Sequence, residues 1–185
     1  METGSIVLLT LVDYNAIAAW SALGAAVVAL VGVCVIVLTL IAENRRSRFL
    51  LSVDLILKLS ERFHSADFKR SRRAAARSLK DNTFVDFDDV LDFFELVGML
   101  TKRKALDDEM VWATLFYWIN NYWHTSNSYV NLIRQHDDTV WEYFCELRER
   151  MIQIEMRKRG SVAVGEVSST ELEKFVREEL SLSPE

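Results

Sequence analysis

The 185-residue chain, half hydrophobic and 26% charged, has room for one compact domain plus an anchor. Its formal net charge of −5 divides into −3 over residues 1–44, +8 over 45–80 and −10 over 81–185, so three segments face different environments. The two cysteines, Cys34 and Cys145, fall in elements that cannot meet, which argues against a disulfide-stapled secreted domain and suits a reducing compartment.

Twenty-nine uncharged residues, Tyr14 to Ala42, separate Asp13 from Glu43. About twenty apolar residues at ~1.5 Å each cross a bilayer, so residues 14–42 are expected to form a transmembrane helix. The leader METGSIVLLTLVD lacks the basic region of a signal peptide, and the apolar run exceeds one in length, so no cleavage is expected. Lys and Arg are retained on the cytoplasmic side of a membrane. The cluster Arg45, Arg46 and Arg48 therefore predicts an outward N-terminus, residues 1–13, and an inward-facing remainder in a bacterial inner membrane. Small residues at Ala18, Ser21, Ala22, Ala25, Ala29 and Gly32 share one helical stripe, the spacing that lets two membrane helices approach closely. Ala and Gly are also common in membrane helices that never associate.

Helical periodicity continues from Glu43 to about Phe63, with Phe49, Val53, Ile56, Leu57, Leu59 and Phe63 as apolar positions. Ser65 can cap the next helix, ADFKRSRRAAARSLK. There Lys69, Arg73, Arg77 and Lys80 form a basic face opposite Phe68, Ala75, Ala76 and Leu79. Asp86 is the expected N-cap of FDDVLDFFELVGML, whose Phe87, Val90, Leu91, Phe94 and Val97 make a buried stripe. Asp107 or Asp108 should cap EMVWATLFYWINNYW, a central helix with apolar residues on two faces. A polar break is expected at HTSNS, before YVNLIRQH. Asp137 or Asp138 should then cap TVWEYFCELRERMIQIEMRKR, with a seam at Val140, Phe144, Leu147, Met151 and Ile154. Gly160 stops it, and Ser168 with Glu171 matches a capping box for a last short helix.

The fold class that follows is all-α: one N-terminal transmembrane helix and a compact cytoplasmic bundle of about five or six helices. Residues 43–80 form a basic, membrane-proximal part, 81–159 an acidic aromatic-rich core, and 160–185 a linker with the short C-terminal helix.

Several of these strings occur together in one family. LDFFELVGML, a basic turn ending in LDDE, WATLFYWINNYW, IRQ, and VWEYF followed by a Leu carry the resemblance between Val90 and Met151. The segment resembles a widespread bacterial family of membrane-anchored proteins of unknown function, which pair an N-terminal membrane helix with a small helical domain. The resemblance implies architecture only, because the family has no assigned activity.

No catalytic, cofactor-binding or metal site is expected. His64, His124 and His136 lie in different elements, and phosphate-loop and hydrolase signatures are absent from the sequence. Asp86, Asp88, Asp89 and Asp92 lack EF-hand spacing and read as a solvated helix start. Glu95, His124 and Arg134 are candidates for a buried polar network, with a helix-packing salt bridge as the plainer reading. The basic face, comprising Arg45, Arg46 and Arg48 with Lys69, Arg73, Arg77 and Lys80, suits anionic lipid headgroups. It suits nucleic acid less, because the −10 segment repels phosphates. The leading functional expectation is a membrane-tethered, non-enzymatic interaction module that binds a cytoplasmic protein or assembles into a homo-oligomer. The alternatives are a membrane-perturbing effector acting through its transmembrane helix, and a membrane-bound enzyme with an unrecognised site.

Overall fold

Apolar residues spaced three and four apart fold into helices, and no strand forms among the described residues. The computed structural model describes the backbone of residues 3–81, 83, 86–160 and 167–183; the side chains of 3–19, 21–23 and 25–29 lie outside that description. The helices are α1 (Thr3–His64), α2 (Ala66–Asp81), α3 (Asp88–Lys102), α4 (Asp108–Arg134), α5 (Glu142–Arg159) and α6 (Ser169–Leu180). The chain divides into two compact units, Met1–Ser47 and Arg48–Glu185.

In the first unit, residues 30–42 of α1 carry no charge and are apolar on every side. Leu30, Val31, Val33, Val35, Ile36, Val37, Leu38, Leu40 and Ile41 are each 45–67% exposed. Residues 30–42 of this helix span about 20 Å, against about 30 Å of bilayer hydrocarbon. Among the described residues no helix is long and apolar enough to cross a membrane. Nearly half of the span expected over 14–42 lies outside the described side chains, as do Ala18, Ser21, Ala22, Ala25 and Ala29 of the small-residue stripe. Gly32, the described member of that stripe, is exposed with open space around it.

In the second unit, α1 buries Ser52, Ile56, Leu59 and Phe63, a face repeating every three or four residues. Phe49 and Leu57, two of the apolar positions of this helix, point outward, since they lie off that face. Ser52 ties α1 to the start of α4: its Oγ accepts from the Asp107 N–H at 2.7 Å. Ser65 Oγ accepts from the Phe68 N–H at 3.3 Å and starts α2 as expected.

Three expected boundaries shift. Asp86 does not cap α3; its carboxylate accepts from Ser78 Oγ at 3.2 Å, and the fully buried Phe87 occupies the cap position. The polar break at HTSNS is absent, and α4 runs unbroken for 27 residues. Its hydroxyls are satisfied by their own helix: Thr125 donates to the Asn121 carbonyl at 3.0 Å and Ser126 to the Tyr122 carbonyl at 2.6 Å. Asp137 caps only a turn, accepting from the Thr139 N–H, and α5 begins at Glu142. Trp141 sets that later start. It adopts a left-handed conformation with φ 51°, is buried against Tyr129, and donates from Nε1 to Asp92 at 2.9 Å. The other caps form as expected: Asp107 accepts from the N–H groups of Glu109 and Met110, Gly160 ends α5 at φ 63°, and Ser168 and Glu171 form the capping box.

The core is aromatic. Phe94 contacts Phe63, Tyr122 and Phe144 at centroid distances of 5.9, 5.7 and 5.6 Å, which joins α1, α3, α4 and α5. The stripe Phe87, Val90, Leu91, Phe94 and Val97 is wholly buried, with Phe93 added to it. Helix α3 packs chiefly on α5, α2 on α6, and α4 on α5. The α3–α5 crossing is close because Gly98 has no side chain: a Cβ there would collide with the Tyr143 carbonyl. Gly98→Ala should therefore destabilise the fold by about 1–3 kcal/mol through overpacking. A chemical denaturation midpoint unchanged from wild type would show that α3 and α5 can part without cost.

Candidate functional site

Helix α2 carries an arginine on its buried side. Phe68, Arg72, Ala75 and Ala76 follow i, i+4, i+7, i+8 and face inward together, and Arg72 is 2% exposed. Its guanidinium meets Glu179 of α6 in a two-point pair: Nε donates to Oε2 at 2.8 Å and Nη2 to Oε1 at 2.6 Å. Nη1 donates to the Phe63 carbonyl at 3.2 Å, and the guanidinium carbon lies 4.0 Å from the Phe63 ring centroid and 5.8 Å from that of Trp118. Tyr122 of α4 completes the cluster by donating to Glu179 Oε2 at 2.9 Å.

One turn earlier on α6, Phe175 is buried edge-on against Tyr122 at 5.0 Å and Tyr117 at 6.0 Å. At the rim, Tyr117 donates to Glu178 Oε2 at 2.8 Å. Burial first, and the Glu178 carboxylate second, push the Tyr117 phenol up to about 12. Burial first, and the adjacent Glu179 second, push the Tyr122 phenol well above its ordinary range. Both tyrosines therefore stay protonated as donors at neutral pH. The end of α1 with α2 and α4 thus forms a groove that receives an aromatic ring and, four residues later, a carboxylate from an amphipathic helix. With both charged side chains 3–4% exposed, the pair is sealed from solvent and is built for holding a helix.

Sequence reasoning assigned Arg72 no role of its own. The signal it passed over was an arginine in register with Phe68, Ala75 and Ala76 on an apolar stripe. The proposed basic face is accordingly narrower: Arg77 and Lys80 are exposed, while Lys69 and Arg73 are half-buried. Arg45, Arg46 and Arg48 are exposed on α1.

Glu95 and Arg134 converge on the start of α5. Glu95 Oε2 accepts from the Phe144 N–H at 2.7 Å, and Arg134 Nη1 donates to the Val140 carbonyl at 2.7 Å. A side chain of α3 thereby caps α5 from outside that helix. His124 is half-buried on α4. Burial is the main cause holding the Glu95 carboxyl above its usual range, against the lowering effect of the Phe144 and Tyr143 N–H groups. Among the described residues no group of three or more His, Cys, Asp or Glu is placed to hold a metal ion.

Residues 21–151 match the family model described as a domain of unknown function, DUF4760. The chain belongs to this family. No curated protein and no solved structure matches it. The matched DUF4760 residues include Phe63, Arg72, Tyr117 and Tyr122, which line the groove. Phe175 and Glu179, the α6 residues that fill it, lie beyond the matched residues.

Two measurements test these arrangements. Glu179→Gln leaves a buried guanidinium without a counter-charge and should cost about 3–5 kcal/mol, whereas Arg72→Met combined with Glu179→Leu should cost less than the two single losses together. A thermal-denaturation cycle showing strict additivity would mean that the two groups are not coupled. Glu95 sets a pH dependence. Its folded-state proton is held more tightly than in the unfolded chain, so its stabilising contribution is full below the unfolded value and is lost as pH rises through the folded one. Glu95→Gln should remove that fall across the acidic carboxylate range, read from denaturation midpoints against pH; identical profiles would contradict it.

Proposed function

We propose that this DUF4760 protein is a membrane-tethered helical interaction module. In this reading residues 14–42 anchor it in a bacterial inner membrane with the N-terminus outside. The helical domain binds a cytoplasmic protein or another copy, and acts by binding rather than turnover. The observation that carries the proposal is the exposed apolar ring of α1. Nine large aliphatic residues between Leu30 and Ile41 face solvent in the isolated chain, whereas the second unit gathers most of its aromatics in one core. Exposure of that kind calls for a cover. Lipid is the cover favoured here, because the uncharged sequence extends back to Tyr14 and ends forward at Glu43 and the Arg45–Arg46–Arg48 cluster. Exposed Arg77 and Lys80 suit an anionic leaflet, where each basic side chain contributes about 1 kcal/mol within a Debye length of the surface.

Topology is best read from a new thiol. Burial pushes the half-buried Cys145 thiol up, so it reacts slowly with maleimide. Asn131 is exposed, and Asn131→Cys in a chain with Cys34→Ser and Cys145→Ser supplies a fast reporter. The protein should pellet with membranes after alkaline carbonate washing. An impermeant maleimide should label Asn131→Cys only once the inner membrane is opened. Recovery in the soluble fraction would overturn the anchor, and labelling in intact spheroplasts would overturn the orientation.

A further inference from the structure

Along α4, Trp112, Phe116, Asn120 and Trp123 follow i, i+4, i+8, i+11 and form one stripe beside α5. Two contacts fix the row of α5 that meets it: Trp112 donates from Nε1 to Glu155 at 2.8 Å, and Trp123 lies edge-on to Phe144 at 5.7 Å. Arg148 stands on that row, one turn after Phe144 and two turns before Glu155, with its guanidinium 5.5 Å from the Trp123 ring centroid. Other arginines drawn into the domain are matched. Arg72 has Glu179, Arg150 has Asp108 at 3.2 Å, and Arg134 has the Val140 carbonyl. The Arg148 Nε is sealed from water yet meets no acceptor among the described residues, and the Oδ1 of Asn120, one turn before Trp123, is sealed without a donor. Burial, the larger cause, pulls Arg148 below its ordinary value, and the neighbouring Glu149 carboxylate opposes it.

We propose that the α4–α5 edge around Trp123 and Arg148 is the docking surface for an acidic segment of a partner protein, one of whose carboxylates takes the Arg148 guanidinium. Charge sets the sign of the partner. Arg157 and Arg159 are exposed further along α5, and Arg159 already leans on the buried Glu155 at 3.0 Å, so this edge is cationic although residues 81–185 sum to −10. A guanidinium resting on an indole keeps the N–H groups of its edge for a planar acceptor, the geometry that a carboxylate meets at two points. Glu149, next in the chain, disfavours a dianionic phosphate more than a single carboxylate. The half-buried Trp112, Phe116 and Trp123, with Met156 38% exposed beside them, are side chains of the kind that carry binding energy once a partner seals them from water. The proposal rests on the binding half of the interaction-module reading, to which it adds the surface and the partner's chemistry. It does not depend on the membrane anchor.

The test uses the full-length protein in mild detergent and dye-labelled hexaglutamate, with hexaglutamine as the uncharged counterpart, read by fluorescence anisotropy at matched salt. Hexaglutamate should bind, and hexaglutamine at least about tenfold more weakly. Arg148→Gln should weaken hexaglutamate by at least about tenfold, whereas Arg157→Gln, exposed on the same helix, should change it by less than about twofold. Inorganic phosphate should displace the peptide no better than sodium chloride of equal ionic strength. Absence of hexaglutamate binding overturns the proposal, as does binding that survives Arg148→Gln or falls equally with Arg157→Gln. Preferential displacement by phosphate overturns the carboxylate assignment. A second measurement separates recognition from folding. Arg148→Met removes a cation that the fold does not match, so its denaturation midpoint should equal or exceed that of wild type. A lower midpoint overturns the reading of Arg148 as unmatched. Failure of the peptide to bind leaves the anchor standing, and recovery of the protein in the soluble fraction overturns the anchor while leaving this surface.

Discussion

A guanidinium withdrawn from water must find a carboxylate with matching geometry, and Arg72 finds one on a helix 107 residues further along the chain. Much of the second unit is arranged around that requirement. The pair sets the rotation of α2, because Arg72 can reach Glu179 only when Phe68, Ala75 and Ala76 also face inward. It sets the seat of α6, and it aims the Tyr122 hydroxyl, which shares Glu179 Oε2 with the guanidinium. The Phe63 ring lies against the cation from one side, so the end of α1 is drawn into the same constraint.

The aromatic core continues from that cluster, since Phe63 and Tyr122 also contact Phe94. Phe94 links four helices through ring contacts, and Gly98 one turn later lets α5 come close enough for those contacts to form. Glu95, between them in sequence, accepts the Phe144 N–H and holds the α5 start in place. Three neighbouring positions on α3 thus supply a packing centre, a cap and a close approach. The left-handed Trp141 belongs to the same junction, since its indole bonds to Asp92 on α3.

The two units differ in how they treat apolar residues. The second gathers most of its large aromatics in a core, buries the Arg72–Glu179 pair, and keeps ion pairs such as Lys58–Asp54 and Lys102–Glu146 at the surface, where they add little stability individually. The described part of the first unit leaves aliphatic residues uncovered around the whole circumference of α1. In the second unit the groove between the end of α1, α2 and α4 is filled by Phe175 and Glu179 of α6.

Local signals in the sequence determined the helical class, the stripe Phe87–Val97, the Asp107 cap, the Gly160 stop and the Ser168–Glu171 box. Each of these depends on residues within two turns of one another, where spacing and hydrogen-bond chemistry suffice. Other features depended on distant partners. Phe49 and Leu57 are apolar like Ile56 and Leu59, but only the packing of α1 in its unit decided which pair is buried. The HTSNS segment reads as a break until its hydroxyls are seen to bond back onto α4. Asp86 and Asp137 are good cap residues, but the burial of Phe87 and Trp141 moved both helix starts past them. Arg72 in isolation is one cation among many on a basic helix. Tertiary structure alone made it the buried half of an ion pair, because the burial of a charge is decided by whether a partner across space can replace its water.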